Sequence, residues 1–319
     1  MIETIGLVIV MLFVGIVIII YCANVAVKNA AILASSLGVS NLVIGITLVS
    51  IGTDLPEIIN SIIACSLGHG DIDVGDSVGS SLCQITLVFG LLPFICGGFR
   101  VKRKEMIIIG GCLILSLILI FTVVEKGYFT RLDALFMMAS FIVYTVVIYN
   151  VTKSDLLERV DMIKLTTDFK SKKYHLTLAI VGLCGVALSS YIIIQSVIAL
   201  SAAFNVHEYI IAFFILAIGT SLPELAVDVN ALKKKEYDIA IGDVIGSCIV
   251  DATISIAIGQ FLYPQAVTAE LAIPTILYTI CVSIIVIIVV GTRQKMDKKS
   301  GALLIGLYFG SYLLLLVLL

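Results

Sequence analysis

Apolar runs long enough to cross a bilayer follow one another along almost the whole chain. No other feature constrains the fold as strongly. A spanning helix needs about 20 apolar residues. Hydropathy along the sequence marks ten candidate spans, at 4–22, 30–67, 74–98, 106–124, 132–151, 175–202, 208–232, 240–262, 267–291 and 301–319. The longest polar stretch between them is 152–174. Of the 319 residues, 60% are hydrophobic and 13% charged, against roughly 45–50% and about 25% in a soluble domain. That leaves no room for an independent soluble domain, and it excludes a cytosolic enzyme or a disordered regulator. The expectation is an all-α, multi-pass protein of the cell membrane, with the lipid bilayer as its main partner. Glu3 stands where a signal peptide carries its basic region, so the run from Ile5 reads as the first span.

A net charge of -2 leaves no polycationic surface for nucleic acid. The eight cysteines are scattered through apolar segments without a CxxC pair. They read as small packing residues, not as a disulfide or zinc framework. With no Trp, anchoring at the membrane surface falls to Tyr and the basic residues.

The basic residues set the orientation. Eighteen of the 20 fall in or beside the odd-numbered connections: Lys28; Arg100 to Lys104; 153–173; Lys233 to Lys235; and Arg293 to Lys299. Lys126 and Arg131 are the two outside this set. Positive charge stays on the cytoplasmic side. The odd connections are therefore expected to be cytoplasmic and both termini extracytoplasmic.

The chain also repeats itself. Gly52-Thr53-Asp54-Leu55-Pro56-Glu57 recurs as Gly219-Thr220-Ser221-Leu222-Pro223-Glu224, and Gly75-Asp76-Ser77-Val78-Gly79-Ser80 recurs as Gly242-Asp243-Val244-Ile245-Gly246-Ser247. Both recurrences have the same offset of 167 residues. A shared offset for two separate motifs marks a duplication. The organisation expected is a first five-helix repeat at 1–151, a cytoplasmic linker at 152–174 and a second five-helix repeat at 175–319. Five is odd, so the second copy enters the membrane inverted. Inverted duplication is a common plan of secondary transporters, with the substrate site near the midplane where broken helices meet.

Pro56 and Pro223 have no amide hydrogen, so the carbonyls of Gly52 and Gly219 lose their helical partners and each helix should kink or unwind. Freed carbonyls at membrane depth need a partner, and a cation is one. Hydroxyls of Thr53, Thr220 and Ser221 stand beside them, and the carboxylates of Glu57 and Glu224 follow each Pro. Asp54, Glu57, Glu224 and Asp251 all fall within spans, whereas the basic residues lie at loops and span ends. A carboxylate at the bilayer centre costs about 2.5 kcal/mol or more. Protons or metal ions must neutralise these four. An oxygen-only ligand set suits Ca2+, and the absence of His and Cys from the leading motif disfavours zinc or copper.

These motifs resemble the two alpha-repeats of the calcium/cation antiporter superfamily, with the sodium/calcium exchanger branch nearest. The resemblance covers the whole ten-span layout. It implies two inverted five-helix repeats around central ion sites, and exchange of Ca2+ for Na+ by alternating access, with no cofactor and no obligate protein partner. By the same resemblance, Glu57 and Glu224 hold Ca2+ and sodium, joined by Thr53, Thr220, Ser221, Ser80, Ser247 and Asp251, with backbone carbonyls of Ser50 and Ala217. Two positions depart from the family pattern. Asp54 replaces the usual Ser, and Gln84 stands where Asn is frequent. The added carboxylate leaves H+ and K+ open as coupling ions beside Na+.

Other acids carry weaker signals. Asp228 follows Glu224 by four residues on one helix face and reads as a pathway or vestibule residue. Asp76 and Asp243 read as helix caps. His69, Asp71 and Asp73 read as a solvated turn. The linker 152–174 is too short for a regulatory ion-sensing domain. Two other function classes fare worse. An intramembrane aspartyl protease lacks its GxGD glycine, and a lipid phosphatase lacks an Arg within a span. A passive cation channel is disfavoured by the inverted duplication.

Overall fold

The computed structural model describes residues 2–36, 50–162 and 172–318. In chain order its helices are α1 (Ile2–Ser36), α2 (Ser50–Thr53), α3 (Leu55–Ser66), α4 (Gly70–Cys83), α5 (Phe89–Ile95), α6 (Arg103–Val124), α7 (Arg131–Met162) and α8 (Lys172–Phe204). They continue as α9 (Glu208–Ile211), α10 (Ala217–Thr220), α11 (Leu222–Lys233), α12 (Tyr237–Val250), α13 (Ile256–Leu262), α14 (Ala269–Arg293) and α15 (Lys298–Leu318). Wider π turns join three pairs: Gln84–Val88 between α4 and α5, Ala212–Leu216 between α9 and α10, and Asp251–Ser255 between α12 and α13. Two-residue strands, β1 (Phe99–Arg100) and β2 (Lys295–Met296), pair antiparallel beside the helices.

Among the described residues, eight helical segments are long and apolar enough to cross a membrane. The expected second span is represented by α2 and α3, with its portion 37–49 outside the described residues, and the expected last span is helical as α15. The first span does not stop at 22. Helix α1 runs unbroken to Ser36 and carries Lys28 inside it. Asn24 and Asn29 do not break it, because their side-chain amides donate to the carbonyls of Ile20 and Val25 in the same helix, at 3.0 and 2.8 Å. Leu7, Val10, Phe13, Val17 and Tyr21 are exposed along α1, as suits a face turned to lipid.

The duplication is written into the helix boundaries. Each of α2, α3, α4, the Gln84 π turn and α5 has a counterpart 167 residues later with the same length: α10, α11, α12, the Asp251 π turn and α13. Several counterparts also pack on each other, α1 along α8 and α6 along α14. At the middle, Ser81 Oγ donates to the Cys248 carbonyl at 3.3 Å and Cys248 Sγ donates to the Ser81 carbonyl at 3.4 Å. These two residues are themselves 167 apart, so the reciprocal bond marks where the two copies meet.

Small residues let backbones approach where side chains would hold them apart. A Cβ on Gly79 would lie 2.3 Å from the Phe213 carbonyl oxygen and 2.8 Å from Ala217 Cβ. Helix α4 is thereby pressed onto the segment that leads from α9 through its π turn to α10. Gly79→Ala is expected to lower stability by about 1–3 kcal/mol through overpacking, read as a lower unfolding midpoint in detergent. Gly111→Ala, where no atom lies within 4 Å of the added Cβ, should leave the midpoint in place. Equal behaviour of the two variants would contradict this helix contact.

Candidate cation site

The two proline motifs break their helices at matching points. Helix α2 ends at Thr53, Asp54 is non-helical (φ -82°, ψ 7°), and α3 starts at Leu55 with Pro56 in its first turn. Ser221 does the same between α10 and α11 (φ -79°, ψ 1°), ahead of Pro223. The interruption is one residue long in each copy. The helix resumes at once, with Ile58 N–H donating to the Asp54 carbonyl at 3.0 Å and Leu225 N–H to that of Ser221 at 3.3 Å. Asp54 and Ser221 thus occupy the break points, with Glu57 and Glu224 one turn into the helices that follow.

Four carboxyl groups from these breaks and from the second motif lie in one buried neighbourhood. Asp54, Glu224 and Asp251 are completely buried and Glu57 is 2% exposed. The oxygens of Asp54, Glu57 and Glu224 have no side-chain hydrogen-bond partner among the described residues, and Asp251 has Ser255 and Gln84 beside it. They lie within electrostatic reach of one another: Asp54 with Asp251 and Glu224, Glu57 with Asp54 and Asp251, and Glu224 with Glu57 and Asp251. Among the described residues, no Lys, Arg or His forms an ion pair with any of the four. Burying an ionised carboxylate without a partner costs several kcal/mol. The cluster is therefore a place where positive charge, as cation or proton, is strongly favoured.

Two of the expected ligands owe their position to π turns. Gln84 and Asp251 are repeat counterparts, and each opens a π turn, with Phe89 N–H donating to the Gln84 carbonyl and Ile256 N–H to that of Asp251. Such turns insert an extra residue into a helix and gather at functional sites. The wider turn withdraws a carbonyl from the ordinary ladder. Thr86 and Thr253, again 167 apart, donate their hydroxyls to the carbonyls of Leu82 and Ile249. Gln84 is fully buried, and its side-chain amide lies at the Asp251 carboxyl.

The hydroxyls divide into two groups. Ser80 Oγ lies 3.3 Å from Thr220 Oγ1, joining the second motif of one copy to the first motif of the other. Ser221 and Ser247 bond backward along their own helices, to the carbonyls of Ala217 (2.8 Å) and Asp243 (2.8 Å). The Ala217 carbonyl also accepts the Ser221 amide at 3.1 Å, so it is engaged within the helix. Thr53 ends α2 and is partly buried, and Ser50 opens the same helix, with its side chain outside the described residues. No three His, Cys, Asp or Glu side chains among the described residues converge to hold a metal ion by themselves. A cation here would draw on mixed oxygens, carboxylate, amide and hydroxyl, as hard cations commonly do.

The polar core extends beyond the expected residues. Asp76 and Asp243 are not caps: they lie inside α4 and α12. Asp76 accepts from Asn60 Nδ2 at 3.2 Å and Thr220 Oγ1 at 3.4 Å, and Ser190 donates to Asn60 in turn. The turn expected at His69, Asp71 and Asp73 is also different. Both acids belong to α4. His69 Nδ1 is 2.7 Å from Glu208, and Asp71 accepts from the backbone and hydroxyl of Thr268 at 2.6 and 2.7 Å. Asp73 is buried and accepts from Gln260 and Cys65. Glycines around these residues suggest a loop, and the bonds made across to α9, α13 and the Thr268 turn are invisible to local sequence. Asn60 could have been suspected, since a buried amide needs a polar partner.

Known proteins are similar to this chain over most of its length. A family model described as "Sodium/calcium exchanger protein" matches residues 7–150 and 174–317, two segments that are again 167 residues apart. The Inner membrane protein YrbG of Escherichia coli is 30% identical over 264 residues, covering 80% of this chain and 79% of its own. The Sodium/calcium exchanger MaX1 of Methanosarcina acetivorans is 23% identical over 336 residues, covering 93% of this chain and 95% of its own. Among solved structures, the sodium-calcium exchanger NCX_Mj superposes with a TM-score of 0.60 at 25% identity, over 97% of this chain and 98% of that one. With this match over both copies of its duplicated helical frame, the chain belongs to the sodium/calcium exchanger protein family.

Proposed function

We propose that the protein is a secondary antiporter that exchanges Ca2+ for Na+ across the membrane by alternating access. The observation that carries this reading is the cluster of Asp54, Glu57, Glu224 and Asp251, buried and without a basic partner among the described residues. The family membership and the names of its relatives support it. In this reading the halves 1–151 and 175–319 are inverted repeats joined by the cytoplasmic linker 152–174, and both termini are extracytoplasmic. The ion site draws on the carboxylates with Thr53, Ser80, Gln84, Thr220, Ser221 and Ser247, and with the carbonyls of Ser50 and Ala217 as the break reshapes around a bound ion.

The coupling follows from charge. Adjacent carboxylates in a low-dielectric site do not all ionise unless cations sit between them. One Ca2+ or several Na+ can provide that neutralisation, and the two compete for the same oxygens. A neutralised site can move between faces, whereas an empty, charged one is held back by the cost of carrying bare charge through the bilayer interior. Exchange results because only occupied states cross. Each half contributes to the same ligand set from its broken helix, so a rocking of one half against the other exposes the site to each face in turn.

Asp54 supports a second reading of the driving ion. At the point corresponding to Ser221 in the other copy, it adds a carboxyl that is buried without a partner. A fourth acid favours a proton or K+ in place of one Na+. In proteoliposomes, an imposed Na+ gradient is expected to drive uptake of radioactive Ca2+. Uptake driven by a pH or K+ gradient but not by Na+ would replace Na+ as the coupling ion, and flux without any counter-ion dependence would favour a channel.

Two sets of variants follow from the same assay. Glu57→Gln and Glu224→Gln keep the side-chain shape and remove the charge. Each is expected to lower exchange at least about 100-fold, equivalent to roughly 2.7 kcal/mol, while the protein still elutes as a folded species. Near-normal exchange in either variant would contradict the site. Asp54→Ser should shift coupling toward Na+; unchanged ion selectivity would show that Asp54 takes no part in it.

A further inference from the structure

Asp76 and Asp243 are repeat counterparts, and a second acid stands beside each. Asp73, on α4, neighbours Asp76. Asp228, on α11, faces Asp243. Asp73 and Asp228 are not repeat counterparts. The counterpart of Asp73 is Ala240, and the counterpart of Asp228 is Ser61. Ser61 in turn neighbours Asp73. One copy thus supplies the extra acid from the second helix of the packed pair α3 and α4, and the other supplies it from the first helix of the packed pair α11 and α12. Residue-by-residue alignment of the copies shows two unmatched acids. In space they are one feature, kept in both halves and carried by opposite helices.

Both acids are buried where a carboxylate needs company. Asp73 is 2% exposed and Asp228 fully buried. Asp228 has the Asp243 carboxyl as its hydrogen-bonding neighbour and no amide, hydroxyl or basic donor among the described residues, and Oδ1 of Asp73 has no partner. Oδ2 of Asp73 is fixed by Gln260 Nε2 at 2.8 Å and Cys65 Sγ at 3.3 Å, which leaves Oδ1 unspent. Each acid pair also connects to the central cluster. Asp76 is in electrostatic reach of Glu57 and Asp251, and Asp243 of Asp54 and Glu224.

We propose that Asp73 and Asp228 are staging sites for the transported cation, one on each route to the central cluster. This rests on the exchange reading above, in which α3 and α11 run from the centre to opposite faces. The ligand class is a hard cation, Ca2+ first. A buried acid pair concentrates cations, and a series of weak sites lets an ion enter and leave without being trapped. The approaching cation senses where the charge is, not which helix bears it, so the acid could change helices between the copies without losing its role.

The test separates the two faces. Ca2+ exchange is measured in right-side-out and in everted membrane vesicles carrying the full chain. Asp73→Asn should raise the apparent KM for Ca2+ at the face nearer His69 by about tenfold or more, the lower end of what a charged cleft adds to local cation concentration, and leave the KM at the other face unchanged. Asp228→Asn should do the reverse. Transposed variants then move the acid between helices: Ser61→Asp with Asp73→Asn, and Asp228→Ser with Ala240→Asp. Each should restore the KM at its own face, and they carry the test if a single variant does not fold. A KM change of equal size at both faces, no change at either, or failure of the transposed acids to restore it would overturn the staging role. Loss of Ca2+ exchange in the unaltered protein would instead overturn the exchange reading on which it depends.

Discussion

A carboxylate deep in a bilayer has to be neutralised, and much of this molecule's architecture follows from how four of them are. Asp54, Glu57, Glu224 and Asp251 have no basic partner among the described residues, and only Asp251 has neutral donors, Gln84 and Ser255, beside it. A permanent Lys or Arg partner would make the cluster a static salt bridge. With none present, the positive charge has to come from an ion or a proton. The proline breaks bring Asp54 and the two glutamates to the centre, and the paired π turns bring Gln84 and Asp251 to meet them. The glycines of α4 allow the close helix contact that holds the halves together at that level.

The duplication gives this arrangement its economy. Corresponding elements begin and end 167 residues apart, and the reciprocal Ser81 and Cys248 bonds join the copies at equivalent positions. The copies differ where charge matters most. Asp54 corresponds to Ser221, Gln84 corresponds to Asp251, and the extra acids Asp73 and Asp228 sit on opposite helices. The frame is symmetric and the charge is not.

Much of this was legible in the sequence, for identifiable reasons. Apolar length fixes helices in a membrane, so the helical class could be read directly, although α1 runs well past 22 because its asparagines bond within the helix. Pro56 and Pro223 remove specific amide donors, so a kink or break in each motif could be read, although the interruption falls at Asp54 and Ser221, two residues past the freed carbonyls of Gly52 and Gly219. The duplication was readable from two short motifs, because they share one offset. What could not be read were contacts between distant segments: Asp76 with Thr220 and Asn60, Asp73 with Gln260, and His69 with Glu208. Gly68, Gly70 and Gly75 made that region resemble turn and cap, whereas α4 already begins at Gly70. The π turns were also hidden, because Gln84 and Asp251 carry no local signal that a helix widens there.

The central claim, that the buried carboxylates bind Ca2+ and Na+ in competition, is tested most directly by thermal unfolding of the purified protein in detergent with each ion. Ligand that binds only the folded state adds about 2.7 kcal/mol at 100 times its Kd. Millimolar Ca2+ should therefore raise the unfolding midpoint of the unaltered protein, rising Na+ should reduce that gain, and Glu57→Gln should abolish it. A midpoint that does not respond to Ca2+, or a response that survives in Glu57→Gln and ignores Na+, would contradict the account.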